Sequence, residues 1–183
     1  SAITITPANA SACVGVILPM TATGGNFEQN AFSQTMDVLP TNFDVSVNAT
    51  ATPNTTYFAQ GTGSILFNTT LTSANETFEL NQNVNLIGAA SASVTFSHIA
   101  SMEGGSFSYD YGYVEYSTDG GTTWTSFTPA NYSGTASTTV FNTAARFTTR
   151  SYADWISTFT GSASTPGVGP ATSLWKSETF NIP

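Results

Sequence analysis

The stretch Ala92-Ser93-Val94-Thr95-Phe96-Ser97-His98 alternates between two kinds of side chain. Its even-numbered positions carry alanine, valine, phenylalanine and histidine, and its odd-numbered positions carry serine and threonine. Because successive side chains of a β-strand point to opposite faces, this period of two predicts a strand with one buried face and one wetted face. His98 continues the inward side, which predicts a histidine in the core or at the rim of a sheet.

Segments of the same kind recur along the chain, separated by turns that contain glycine and proline. Helix-favouring residues are scarce, whereas threonine, valine, tyrosine and phenylalanine are common and suit strands. About ten short strands at this spacing predict an all-β fold, a jelly-roll-like sandwich of two antiparallel sheets. Besides the stretch above, the predicted strands are Ile3–Thr6, Val14–Leu18, Phe43–Val47, Ser64–Phe67, Asn83–Ile87, Gly112–Ser117, Thr123–Phe127, Ala145–Thr149 and Ser177–Ile182.

Length and charge limit the kinds of partner. A chain of 183 residues allows one ordinary domain, or one domain with a short extension. Lysine and arginine number 3 against 11 acidic residues, so the formal net charge is -8. Three cations cannot form the basic patch that nucleic acid or an anionic membrane surface requires. No apolar run approaches the roughly 18 residues of a membrane span. The sequence therefore predicts no nucleic-acid partner and no membrane span.

Residues suited to catalysis are few. The chain has one cysteine, Cys13, and one histidine, His98, and it lacks C-x-x-C, G-x-S-x-G, H-E-x-x-H and phosphate-loop motifs. A Ser-His-Asp system would have to use His98, which the alternation places inward. The sequence therefore predicts that the protein is not an enzyme. One alternative stays open, because crowded carboxylates can act as a pair on a glycosidic bond or hold Ca²⁺. These carboxylates are Glu103, Asp110, Glu115 and Asp119.

The sharpest local motif is Ser117-Thr118-Asp119-Gly120-Gly121-Thr122-Thr123-Trp124. It fits the S-x-D-x-G-x-T-W pattern of an Asp-box, which is a structural hairpin turn. Glycines allow positive φ in a tight turn, and a carboxylate can accept hydrogen bonds from the turn amides. We therefore predict structural roles for Asp119, Gly120, Gly121 and Trp124, with the indole packed beneath the turn.

Aromatic side chains alternate in the segment that leads into this hairpin, FSYDYGYVEY at 107–116. Exposed flat rings with a polar tip can stack on sugars. We predict ligand binding by Tyr109, Tyr111 and Tyr113, together with Trp155 further along the chain. Packing in a core is the alternative interpretation, since one side of an alternating strand is buried.

Several stretches, taken in order, resemble a known family. They are N-F-E-Q from Asn26, N-V-N-L-I-G-A-A-S-A-S-V-T-F-S-H at 83–98, Y-D-Y-G-Y-V-E-Y-S-T-D-G-G-T-T-W at 109–124 and W-K-S-E-T-F-N-I at 175–182. Together they resemble the jelly-roll modules of secreted surface proteins in the Bacteroidetes, which are related to cleaved-adhesin and MAM-like domains. The resemblance covers residues 26–183, and the opening residues look like the start of an Ig-like repeat.

The resemblance implies an extracellular or cell-surface protein that acts in adhesion or polymer binding. Its partner would be a surface glycan, another surface polymer or a protein. The resemblance also implies structural calcium, for which the matching positions are Glu28, Asp110 and Asp119. We expect two parts, an N-terminal strand extension at 1–24 and a jelly-roll-like β-sandwich at 25–183.

A second function follows from a departure from the family pattern. Family members usually continue past the last matched strand into further strands, whereas this sequence ends at Pro183. A sandwich that lacks a strand exposes backbone groups, and a strand from a neighbouring copy can pair with them. The alternative hypothesis is therefore a self-assembling structural subunit of an extracellular filament or surface layer, with residues 1–24 as the donor strand.

Overall fold

The computed structural model describes residues 4–6, 21–23, 30–69, 75–102, 110–134, 147–159 and 174–183. Strands dominate these ranges, and every strand pairing in them is antiparallel. They are accompanied there by a 3-10 turn at Pro129–Asn131 and one short helix, α1, at Ala153–Thr158. The predicted all-β class is confirmed. The strands are β1 (Thr4–Thr6), β2 (Thr21–Thr23), β3 (Phe43–Val45), β4 (Ala49–Asn54), β5 (Ser64–Thr69), β6 (Phe78–Leu80), β7 (Ala92–His98), β8 (Glu115–Tyr116), β9 (Thr125–Ser126) and β10 (Lys176–Ile182).

The chain divides into two compact units, Ser1–Ser33 and Gln34–Pro183. In the first unit β1 pairs with β2, with Thr4 opposite Thr23. This pairing lies within the predicted extension at 1–24. The predicted strand at 14–18 falls outside the described residues, and the domain boundary at residue 24 stays a prediction.

In the second unit β7 and β10 pair along their full length, from Lys176 opposite His98 to Ile182 opposite Ala92. The even-numbered residues of both strands are buried or half-buried, apart from Val94. The odd-numbered residues are serine, threonine or asparagine, and all of them are exposed. The alternation predicted for residues 92–98 is therefore confirmed, and the partner strand repeats it.

The core of the second unit is built on aromatic side chains. Phe180 of β10 is fully buried, and its ring centroid lies 4.8 Å from that of Phe127 and 5.0 Å from that of Tyr132. A second cluster surrounds Trp155 of α1, and Phe147 packs against both clusters. Burial of one phenylalanine side chain contributes about 1.5–3 kcal/mol. Because the strands are short, these rings supply much of the stabilisation of the unit.

Two further ladders belong to the second unit. β4 pairs with β5 over six residues, and β3 pairs with β6 over three. Phe78 of β6 connects them, because its ring stacks on Phe43 at 4.5 Å and lies 6.2 Å from the ring of Phe67. The turn between β4 and β5 is held by the Asp37 carboxylate, which accepts a hydrogen bond from the Thr62 N–H at 2.7 Å.

The segment Asn83–Ile87, predicted to be a strand, is not one. Ile87 is 95% exposed, and Gly88 in the following turn has a φ of 85°. The prediction was wrong because the alternation of Val84 and Leu86 there does not face a core. Each ladder in the described ranges has two strands, so the stacking of two larger sheets into a sandwich stays a prediction.

Candidate functional site

An exposed row of side chains lies along residues 111–115, just before and within β8. Tyr111, Tyr113 and Glu115 are exposed, whereas Gly112 and Val114 between them are half-buried. Tyr111 is 36% exposed and Tyr113 is 40% exposed. Their ring centroids are 6.2 Å apart, with 34° between the ring planes. The two rings therefore form one side-by-side surface.

Strand β9 extends this row. Glu115 lies opposite Ser126 in the ladder and accepts a hydrogen bond from the Ser126 hydroxyl at 2.8 Å. Trp124 directly precedes β9 and is 41% exposed. Trp124 stands two positions before Ser126, the spacing that keeps side chains on one side of an extended chain. We refer to Tyr111, Tyr113, Glu115, Trp124 and Ser126 as the aromatic face.

The other side of the same segment is tied to the core. Gly112 and Phe147 exchange two backbone hydrogen bonds, of 2.8 and 2.7 Å. A Cβ atom on Gly112 would collide with the Phe147 ring, which explains the glycine between two tyrosines. The Val114 N–H donates to the Tyr132 hydroxyl at 2.8 Å, and the Val114 carbonyl accepts from the Phe127 N–H at 3.0 Å. These bonds fix the backbone that carries the two exposed tyrosines.

The hairpin turn between β8 and β9 is held by Asp119. Its carboxylate accepts hydrogen bonds from the Thr123 N–H at 2.8 Å, the Thr123 hydroxyl at 2.6 Å and the Ser117 hydroxyl at 2.8 Å. Gly120 and Gly121 have φ values of 71° and 83°, in the region that favours glycine. The carboxylate thus links the two ends of the turn that positions Trp124.

The same hydrogen bonds determine the charge of Asp119. They lower the pKa of its carboxyl to about 2, with the Thr123 hydroxyl as the largest cause, followed by the Thr123 N–H and the Ser117 hydroxyl. Asp119 is therefore ionised at neutral pH. Both of its oxygens accept hydrogen bonds from the turn, which limits the lone pairs left for a cation.

The other predicted calcium ligands lie elsewhere. Glu28 is outside the described residues, and Asp110 is exposed just before the aromatic face. Within the described part of the chain, no three histidine, cysteine, aspartate or glutamate residues form a group that could hold a metal ion. Calcium binding by Glu28, Asp110 and Asp119 stays a prediction.

The remaining predicted ligand-binding residues are Tyr109 and Trp155. Tyr109 lies outside the described residues. Trp155 is fully buried in α1, its indole N–H donates to the Leu174 carbonyl at 2.7 Å, and the edges of Tyr152 and His98 contact its ring. A buried ring has no face for a sugar, so Trp155 is a core residue and the prediction of ligand binding by it is corrected.

The structure contains a buried polar cluster that the sequence-based predictions do not include. Glu178 of β10 is fully buried, and its carboxylate accepts hydrogen bonds from the Ser133 N–H at 2.8 Å and the Tyr152 hydroxyl at 2.6 Å. His98 Nε2 lies 3.8 Å from Glu178 Oε1. One feature of the sequence indicates this cluster. In the alternating stretch K-S-E-T-F-N-I at 176–182, the acid Glu178 stands at an inward-facing position. Because these side chains pack among the buried aromatic residues of the core, we interpret the cluster as a structural hydrogen-bond network.

The environment of His98 determines its charge. Burial lowers the pKa of the imidazole to about 4, and the nearby Glu178 carboxylate opposes this shift only in part. His98 is therefore neutral at neutral pH. Among the described residues, neither of its ring nitrogens has a hydrogen-bond partner.

Comparisons with known proteins give this chain no relative: no family model, no curated protein and no solved structure matches it. The described ranges contain no helix that is long and apolar enough to cross a membrane. Support for a function therefore comes from the fold and from the aromatic face.

Proposed function

We propose that the protein is a non-enzymatic extracellular surface or adhesion module that binds a glycan through the aromatic face. The observation that carries this proposal is the pair of exposed rings of Tyr111 and Tyr113, 6.2 Å apart just before β8, with Trp124 exposed just before the paired strand β9. Aromatic rings offer a flat apolar surface to the C–H faces of sugars, and the tyrosine hydroxyls and indole N–H offer polar contacts.

Rigidity supports this assignment. Binding costs free energy when a protein must order its side chains and loops, and preorganisation lowers that cost. Gly112 and Val114 bind the backbone of residues 111–115 on the core side, and Asp119 holds the turn at the other end of the face. The rings therefore stand on a backbone that binding does not need to reorganise.

The kind of surface supports the proposed extracellular location. The charged fraction is 8%, and the odd-numbered positions of β7 and β10 present exposed hydroxyl and amide groups. A hydroxyl-rich surface with few cations suits an extracellular β-protein, and the resemblance to secreted jelly-roll modules supports the same location. A surface polysaccharide is the partner that this face suits best.

The experiment is affinity gel electrophoresis of the purified chain in gels that contain a panel of plant, algal and bacterial polysaccharides. We expect retardation in at least one gel. The double variant Tyr111→Ala/Tyr113→Ala should lose about tenfold or more in affinity, since one aromatic contact contributes about 0.5–1.5 kcal/mol. The matched control is Ile87→Ala, which truncates a side chain that is 95% exposed outside the aromatic face.

Two outcomes would contradict the proposal. One is retardation of the double variant equal to that of the wild type. The other is release of reducing sugar from a retained polysaccharide that stops when one carboxylate is replaced, because that result identifies a glycoside hydrolase.

A further inference from the structure

We infer that the aromatic face selects uncharged polysaccharides over acidic ones, and that Glu115 is the residue that determines this specificity. The inference rests on the proposed function and adds to it the chemical class of the ligand.

Glu115 lies on the aromatic face beside Tyr113. It is exposed, it stands two residues after Tyr113 on the same side, and it lies opposite Ser126 in the β8–β9 ladder. The Ser126 hydroxyl donates to Glu115 Oε1 at 2.8 Å and so orients the carboxylate on the face. A sugar stacked on Tyr113 therefore meets a fixed negative charge.

The charge of Glu115 affects the neighbouring Tyr113. The pKa of the Tyr113 hydroxyl is raised, first by partial burial, then by the Glu115 carboxylate and by Tyr111. The field of Glu115 thus reaches the hydroxyl of a ring in the proposed binding surface. A uronate or sulfate group placed there would feel the same repulsion.

Positive charge is distributed unevenly along the chain. Residues 1–145 contain no lysine and no arginine, so the segments that form the aromatic face supply no cation. The three cations of the chain come later in the sequence: Arg146 lies outside the described residues, Arg150 is half-buried, and Lys176 pairs with Asp154 at 2.5 Å. Proteins usually bind carboxylate and sulfate groups through arginine or lysine, which give charge-assisted hydrogen bonds. The hydroxyl groups of a neutral sugar can instead donate to the Glu115 carboxylate.

The test compares polymers that share a backbone and differ in charge. The pairs are hydroxyethyl cellulose with carboxymethyl cellulose, and dextran with dextran sulfate. We expect the full chain to bind the neutral member of at least one pair, and to bind its acidic partner at least tenfold more weakly at 20 mM salt. The difference should narrow at 500 mM salt, because ions screen exposed charges.

The variant Glu115→Gln keeps the shape of the side chain and its acceptor oxygen while it removes the charge. We expect it to bind the acidic polymer several-fold more tightly than the wild type does, with less than a twofold change for the neutral polymer. Asp44→Asn is the matched control, because it removes one exposed negative charge from β3 and keeps an acceptor for the Asn81 amide. The control should bind both polymers as the wild type does.

The outcomes separate the two claims. If no polymer of the panel or of the pairs binds, the proposed function and the inference both fail. If the wild type binds both members of a pair equally, or binds the acidic member more tightly, the proposed function stands and the inference is overturned. If Asp44→Asn relaxes the selectivity as much as Glu115→Gln does, the overall charge is responsible and the role of Glu115 is overturned.

Discussion

His98 packs among aromatic rings, with centroids 4.6 Å from Phe147 and 5.2 Å from Trp155. Its side chain is 12% exposed, and its Nε2 lies 3.8 Å from the Glu178 carboxylate. Such a site favours the neutral imidazole because a buried charge loses its hydration. Acidification should therefore affect the folded protein through this residue.

The sign and size of the effect follow from the two pKa values. The folded pKa of about 4 lies below the ordinary 6.5, so the unfolded chain binds the proton more tightly. Stability is then full above pH 6.5 and falls as the pH drops toward 4. We expect a loss of about 1 kcal/mol in the free energy of unfolding between pH 7.5 and pH 5.5. Urea denaturation at the two pH values measures it.

The control for this prediction is His98→Phe, which keeps an aromatic ring in the site and removes the titrating group. Its unfolding free energy should change little between pH 7.5 and pH 5.5. Equal stability of the wild type at both pH values would contradict a buried neutral histidine.

At the scale of elements, the β8–β9 hairpin depends on one carboxylate. Asp119→Ala removes the acceptor of the Thr123 N–H and of two hydroxyl groups. We expect faster hydrogen exchange at the Thr123 amide and weaker glycan binding, because the turn positions Trp124. Amide exchange followed by NMR measures the first effect.

Thr118→Ala is the control, because it changes a neighbouring exposed side chain of the same turn. It should leave the exchange rate at Thr123 as it is in the wild type. A hairpin that exchanges equally slowly in Asp119→Ala would show that the glycines and the ladder hold the turn without the carboxylate.

The elements also show what a sequence can predict. The alternation at 92–98 identified β7 because a strand with one buried face repeats every two residues, and the register with β10 follows that pattern. Asn83–Ile87 has the same local pattern without a core to face. A period of two shows that a segment can form a strand with one buried face. Whether that face is in fact buried depends on contacts with residues that are far away in the sequence.

The aromatic face, like the strands, could be predicted from the sequence only in part. Alternation around Tyr111 and Tyr113 indicated two faces, but the sequence left open which face is buried, and the bonds of Gly112 and Val114 decide it. Trp155 was predicted as a binding residue although its helix places it in the core. Glu178 was overlooked because a buried acid is recognised by its partners, Ser133 and Tyr152, which are distant in the sequence.

At the scale of the whole molecule, the binding module and the filament subunit differ in solution mass. The binding module predicts a monomer of 19.1 kDa at all concentrations in light scattering. The filament hypothesis predicts large assemblies that return to monomers when residues 1–20 are deleted, because the donor strand is then lost. Assemblies that survive the deletion would contradict strand donation by this segment.

The most direct test of the account uses the three tryptophans of the chain as reporters. Trp124 belongs to the aromatic face, whereas the indole of Trp155 is buried against Leu174. In a titration with an oligosaccharide of the best-bound neutral polymer, we predict that the indole N–H signal of Trp124, assigned with Trp124→Phe, shifts in the NMR spectrum. The Trp155 and Trp175 signals should stay in place. Binding that leaves the Trp124 signal unmoved, or that moves the Trp155 signal instead, would contradict the aromatic face as the binding site.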